Sequence, residues 1–372
     1  MRLRSSCLLG MAAALLGRVG PAAAQAAASG QPSDPKATAK TARLFRNLQR
    51  LATTNVMFGH QDDLAYGVGW KYEKGRSDVK SVTGAYPAVY GWELGHLELD
   101  SARNLDGVPF AGIRQYVRTA YRRGGLNTIS WHLNNPTNGK TAWDTTRTVA
   151  SILPGGPYHA QYVAYLDRLA TYLRSLRSGF TAVPVVFRPF HEHTGSWFWW
   201  GEKNCTAEEF KTLWRFTADY LRNTKKVHNL LLAYSASDFR SPEHYLERYP
   251  GDEYVDLMGF DTYCGRNPAK YEVELDRQLA LLQQIAAAHG KVPALTETGY
   301  GQIPNPTWWT QSLLPLLSKY NLSYVLVWRN GRPDHYYAPY PGQASADDFK
   351  QFYRSPRVLF QDRLTPMKIY RR

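Results

Sequence analysis

Residues Val183 to Gly195 read Val-Pro-Val-Val-Phe-Arg-Pro-Phe-His-Glu-His-Thr-Gly, and residues Pro293 to Tyr300 read Pro-Ala-Leu-Thr-Glu-Thr-Gly-Tyr. Each is a short apolar, β-branched run that arrives at a glutamate, Glu192 or Glu297, followed by a small-residue turn. Such a run predicts a buried strand. Six more have the same character: Asn55 to Gln61, Pro87 to Leu94, Leu126 to Asn134, Asn229 to Ser237, Tyr254 to Tyr263 and Leu322 to Gly331. Helical periodicity fills most of the intervals, clearest at Tyr158 to Leu176, Ala207 to Leu221, Tyr271 to Ala288 and Thr307 to Ser318. Thr206 and Glu209 form a capping-box signature at the start of the second of these.

This repeated βα alternation predicts an α/β fold, a single (β/α)8 TIM barrel. An open doubly wound sheet has the same grammar, but it usually carries a glycine-rich phosphate turn after its first strand. Here that position reads Phe58-Gly59-His60-Gln61-Asp62-Asp63. The predicted strands also end in polar or aromatic residues, among them His60, Glu93, His132, Glu192, Asp238, Tyr263, Glu297 and Arg329. A barrel gathers all eight ends on one catalytic face, so residues far apart in sequence meet there.

Composition bounds the function classes. Arg2 and Arg4, an apolar run from Leu8 to Leu16 and small residues at Ala22 to Ala27 identify residues 1–25 as a secretory signal peptide, leaving residues 26–372 as the catalytic barrel. The expected location is extracellular or periplasmic. Cys7 precedes the apolar run, so it is not placed as a lipid-modified cysteine. The run is shorter than the roughly 20 residues a membrane span requires, and no transmembrane segment is expected. The formal charge is +14; subtracting Arg2, Arg4 and Arg18 leaves +11. Arginines such as Arg114, Arg118, Arg122 and Arg123 are spread along one helix, which reads as a solvated face and gives no support to a nucleic-acid partner. Only Cys205 and Cys264 follow the signal, and an oxidising compartment permits them to pair if they meet.

The chemistry lies in the two glutamates. Cleaving a glycosidic bond requires a proton for the leaving oxygen and an electron-rich group to meet the oxocarbenium-like carbon, and two carboxyl groups in different protonation states supply both. The flanking segments Arg188-Pro189-Phe190-His191-Glu192, Gly195-Ser196-Trp197-Phe198-Trp199-Trp200-Gly201, Trp131-His132-Leu133-Asn134-Asn135-Pro136, Phe58 to Gly67 and Thr296-Glu297-Thr298-Gly299 resemble glycoside hydrolase family 26 in their order, over nearly the whole mature chain. The best-known members of that family are retaining β-mannanases.

The resemblance implies Glu192 as acid/base and Glu297 as nucleophile, in a double displacement on β-1,4-mannosidic linkages of mannan, glucomannan or galactomannan. Around them it implies sugar contacts from His132, Asn135, Arg188, His191, Trp197, Tyr263, Trp328 and Arg329, with Arg188 and Tyr263 also serving to keep Glu297 ionised. Tryptophan faces suit the C–H surfaces of pyranoses, and of the cluster Trp197, Trp199 and Trp200 at least one, Trp197, is expected in the cleft while another packs inward. Asn134, like Asn135, can hydrogen-bond sugar hydroxyls, though capping the Pro136 turn would account for one of the two, and His60 is a further candidate at a matching strand end. No cofactor and no metal are expected, and a monomer acting on polysaccharide or oligosaccharide is the natural state.

Alternatives stay open. His191-x-His193 has the spacing of a metal pair, though no matching ligand set follows the other strands. A β-glucanase or β-1,3-xylanase of the same family, or a non-catalytic glycan-binding barrel, would share these segments. Insertions at Asp62 to Ser81 and Thr137 to Tyr158 decide between internal and chain-end cutting if they wall the cleft.

Overall fold

The computed structural model describes residues 30–371. The signal-peptide reading of residues 1–25, with Cys7, therefore lies outside the described residues. Eight parallel strands form the barrel: β1 (Val56–Gln61), β2 (Val89–Glu93), β3 (Leu126–Ser130), β4 (Val185–Arg188), β5 (Leu230–Ala236), β6 (Leu257–Asp261), β7 (Val292–Thr298) and β8 (Tyr324–Val327). Each pairs with the next, and β8 closes on β1 with Met57 opposite Tyr324 and His60 opposite Val327. The alternation in the sequence thus resolves as the closed barrel, and closure removes every free strand edge among the eight. A short ninth strand, Val358–Leu359, adds to the lower end of β1.

Strand alternation sorts the core into two shells. Met57, Val89, Leu126, Val186, Leu231, Leu257, Val292 and Tyr324 point inward and fill the lower barrel. Their neighbours Phe58, Tyr90, Ile129, Phe187, Leu232, Met258, Leu295 and Val325 point outward to the helices. The lumen is tight enough to demand glycine: a Cβ on Gly91 would sit 1.9 Å from Gln61 Oε1, and one on Gly259 would sit 2.6 Å from Thr296 Cγ2.

Helix α1 (Ala39–Ala52) begins at Thr38, whose hydroxyl accepts from the Thr41 amide. It presents Leu44, Phe45, Leu48 and Leu51 to the same inner shell, so it stoppers the barrel bottom. Helices α2 (Phe110–Arg122), α3 (His159–Ser175), α4 (Ala207–Asp219) and α5 (Pro268–Ala288) pack outside. The capping box expected at Thr206 and Glu209 is formed in both directions.

At the top of the barrel several strands end earlier than expected: β6 stops at Asp261 and β8 at Val327, short of Tyr263 and Arg329. β3 and β4 stop at Ser130 and Arg188, so His132 and Glu192 stand on the turns beyond them. Glu192 takes φ 54° and Phe190 φ 48°. A side chain held in the left-handed region costs about 1–3 kcal/mol, offset here by burial of Phe190 among Trp199, Trp200 and Phe210 and by donation from the Glu192 amide to the Ser235 carbonyl (2.9 Å). Cys205 and Cys264 are both buried and both free; each sulfur turns to a nearby backbone carbonyl, and the two are not bonded. No described helix is long and apolar enough to cross a membrane.

Candidate active site

The upper barrel is polar where the lower barrel is apolar. Arg188, the last residue of β4, points into the lumen, and its guanidinium donates to Asp261 Oδ2 (2.5 Å), to Ser235 Oγ (3.3 Å) and to Glu297 Oε1. All of these groups are buried. A guanidinium taken out of water needs such partners, and here two carboxylates supply them.

Glu297 reaches this network through an irregularity. Val292 and Ala294 face inward and Leu295 outward, so strict alternation would turn Glu297 away from the lumen. The register slips at Phe260/Asp261 between β6 and β7, and between Leu295 and Thr298 where β7 meets β8. This bulge lets successive residues face inward: Thr296 Oγ1 lies 2.8 Å from Ser235 Oγ, and Glu297 meets Arg188. The Tyr263 hydroxyl completes the grip, donating to Glu297 Oε2 at 2.6 Å.

Glu192 is held differently. Among the described residues its one side-chain donor is the indole N–H of Trp197, 2.6 Å from Oε2. Glu192, Asp261 and Glu297 each offer a carboxylate oxygen within 4.8 Å of the others. Burial, then the charges of Asp261 and Glu297, hold the Glu192 carboxyl well above the usual carboxylate range. Asp261 is pushed up to about 7 by burial and by Glu297, with Arg188 pulling the other way. Because Arg188 touches Asp261 and Glu297 directly and has no hydrogen bond to Glu192, the proton in this group settles on Glu192.

A second network braces the opposite wall. Glu93 accepts from Ser130 Oγ (2.6 Å), the His132 amide (2.8 Å) and His132 Nδ1 (2.8 Å). Burial favours its neutral form, but His132 and these hydrogen bonds bring it down to about 2. Burial likewise opposes charge on His132, and Glu93 outweighs it, so the His132 pKa is raised. His191 behaves oppositely: burial, Arg188 and His132 hold its pKa well below the usual range. The two Nε2 atoms lie 3.0 Å apart, and these opposite shifts favour His132 as the donor to His191.

Aromatic rings frame the carboxylates. Trp197 is 43% exposed and lies over Glu192, while Trp199 and Trp200 are fully buried and tie their indoles to the Leu133 and His191 carbonyls. Trp143, half exposed, stacks flat on His132 at 5.1 Å and 9°. Trp328 is half-buried, 6.3 Å from the His132 ring. Beside it Arg329 pairs with Asp106 at 3.0 Å, near the Tyr66 to Asp62 hydrogen bond of 2.7 Å. Burial and the Asp106 charge push Asp62 up to about 8.

Of the residues expected from sequence, Glu192, Glu297, Arg188, Tyr263, His132, His191 and Trp197 come together, with Trp328 and Arg329 alongside. Asn135 does not join them. It is fully buried; its Oδ1 accepts from the Thr137 amide, Thr137 Oγ1 and Thr148 Oγ1, and its Nδ2 donates to Asp144, so its side chain is committed to shaping the loop. Asn134 similarly donates to the Gly139 carbonyl, and His60 is buried against Asp63. His193 packs between Phe210 and Tyr234, whereas His191 faces His132, and among the described residues neither histidine belongs to a cluster of three potential metal ligands.

The expectation overlooked Asp261, Asp106 and Trp143. Asp261 had a signal in the sequence, since Leu257, Gly259 and Asp261 share one strand face. Trp143 had none, lying in an irregular insertion.

The family model for glycosyl hydrolase family 26 matches residues 33–333. A mannan endo-1,4-β-mannosidase from Bifidobacterium adolescentis is 34% identical over 353 residues, which cover 88% of this chain and 35% of that protein. The chain thus spans about a third of that relative's length. Among solved structures, a β-mannanase of the same family from Bacteroides ovatus is 49% identical with a TM-score of 0.88, covering 90% of this chain and 98% of the other. A modular endo-β-1,4-mannanase from Cellulomonas fimi is 34% identical with a TM-score of 0.84, covering 92% and 79%.

Proposed function

The chain belongs to glycosyl hydrolase family 26, and from that premise we propose that it hydrolyses β-1,4-mannosidic linkages within mannan chains, with retention of anomeric configuration. The observation that carries the proposal is the approach of Glu192 and Glu297 within 4.8 Å in opposite electrostatic settings. Retaining glycosidases hold their carboxyl groups about 5–5.5 Å apart, whereas inverting enzymes leave about 6.5–9.5 Å for a water.

In the first step Glu297, ionised beside Arg188 and Tyr263, attacks the anomeric carbon as Glu192 transfers its proton to the departing oxygen. The glycosidic bond breaks and an ester to Glu297 forms. Glu192, now a carboxylate, takes a proton from water, which attacks the same carbon and releases Glu297. The Glu192 pKa falls when Glu297 is esterified, because the negative charge that raised it has gone. Trp143, Trp197 and Trp328 supply apolar faces for pyranose rings around this centre.

Mannan as substrate is supported by the names of the relatives, and internal cleavage by their endo-acting description. Export through residues 1–25 is proposed from the sequence alone. The test is a product profile from mannan, glucomannan, galactomannan, lichenan and β-1,3-xylan. The proposal expects a ladder of manno-oligosaccharides from the first three. Release of reducing ends from lichenan or xylan alone would replace mannan with another β-glycan, and binding without turnover would leave a glycan-binding barrel.

A further inference from the structure

At the end of the barrel opposite the carboxylates, the connection from α3 to β4 is a hairpin in which Arg177–Ser178 pairs with Thr181–Ala182. Gly179, at φ 59°, makes the turn, and Phe180 stands at its tip, 100% exposed. The hairpin is fixed in place: Arg118 Nε donates to the Arg177 carbonyl (2.7 Å), Arg122 Nε lies 3.3 Å from Ser178 Oγ, and Arg177 donates to the Phe180 carbonyl. A bare phenyl ring is thus held away from the body of the protein.

Cations surround it. On one side, a depression of about 390 Å³ is lined by Lys40, Arg122, Arg123 and Lys368, with no carboxylate in its wall. On the other, one of about 580 Å³ is lined by Arg174, Arg177, Lys226 and His228, again without a carboxylate. The two adjoin through the start of α1, where Thr38 and Lys40 stand, and through the Arg122 to Ser178 contact. The nearby acids are already engaged, Asp34 with His228 and Asp167 with Lys225. Among the described residues, none of Lys40, Arg122, Arg174, Arg177, Lys226 and Lys368 has an ion-pair partner. Of the arginines that read in sequence as a solvated helix face, Arg122 and Arg123 line this patch and Arg118 ties the hairpin beside it, whereas Arg114 lines a separate depression with Asp100 and Asp167.

We infer that this lower face docks on an anionic lipid surface, with Phe180 entering the boundary between headgroups and acyl chains and the cations resting on lipid phosphates. Interfacial binding combines these two contributions, and each cation near an anionic leaflet adds to it. An acidic polysaccharide would satisfy the cations and could stack on an aromatic ring lying along a groove, but Phe180 lines neither depression and stands fully exposed at the hairpin tip. Docked in this way, the face carrying Glu192 and Glu297 points away from the surface, open to polymeric substrate. The inference stands on the lower face alone and does not depend on which glycan the upper face cleaves.

Cosedimentation of the purified protein with vesicles tests it. Vesicles of phosphatidylcholine with one-third phosphatidylglycerol should retain the protein at low salt and release it in high salt, and pure phosphatidylcholine should bind far less. Phe180→Ser should weaken partitioning several-fold, and Lys226→Glu with Lys368→Glu by about 25-fold or more, each cation being worth roughly a factor of five. These side chains are exposed and, among the described residues, hydrogen-bond to no other group, so thermal melting and glycan hydrolysis should stay unchanged and report that the variants fold. Failure to bind anionic vesicles, equal binding to both vesicle types, or binding that neither variant alters would overturn the inference. So would polygalacturonate binding as tight as vesicle binding and insensitive to Phe180→Ser, since the face would then be a general polyanion site.

Discussion

Glu192 and Glu297 share a chemical group and one small space, yet the chain holds them by opposite means. Glu297 sits in a bulge within β7, gripped by a guanidinium and a phenol. Glu192 stands on a turn four residues beyond β4, in a left-handed conformation, with a single indole N–H for company. The first setting favours a carboxylate and the second a carboxylic acid. The proposed division of roles within the pair rests on these two environments.

Removing the better-anchored partner should hurt most. Glu297→Gln keeps the shape but deletes the nucleophile, and mannan hydrolysis should fall by about 10⁴-fold or more, read as kcat. If activity survives with retained configuration, the nucleophile lies elsewhere. Glu192→Ala should cost about 10²–10⁴-fold on mannan. The same variant should lose much less on a dinitrophenyl mannobioside, whose leaving group needs no proton; equal losses on both would deny Glu192 the role of acid. Tyr263→Phe removes one hydrogen bond to a charged group, worth about 1.5–3 kcal/mol, so kcat should drop by about 10–10²-fold while the fold is kept.

The smallest effect tests the weaker grip. The Trp197 indole favours the ionised form of Glu192 and lowers its pKa, so Trp197→Phe should raise that pKa. The acid works only while protonated, and the alkaline limb of kcat/KM should therefore move to higher pH. A shift to lower pH would show that the indole holds the protonated acid.

The barrel was legible because every buried strand is a short apolar run that arrives at a polar or aromatic residue. Glu192 was legible for the same reason, although its turn conformation was not. Glu297 is the more instructive case. Alternation from Val292 and Ala294 would have turned it outward, and its inward placement depends on a bulge that arises from pairing with β6 and β8, which no local pattern encodes. Asn135 carried the right motif, but the hydrogen bonds of its own loop consume its side chain. Trp143 and Asp106 reach the cleft from irregular segments, where position follows from tertiary contacts and not from period. Trp197 and Trp199, two residues apart, part as the sequence led one to expect: one covers a carboxyl group, the other fills the core.

The most direct test of this division of roles is to trap the intermediate. Incubation with a 2-deoxy-2-fluoro-mannosyl substrate bearing an activated leaving group, followed by peptide mapping, should place a single glycosyl ester on Glu297. A label on Glu192 or Asp261, or full inactivation of turnover without any covalent label, would contradict it.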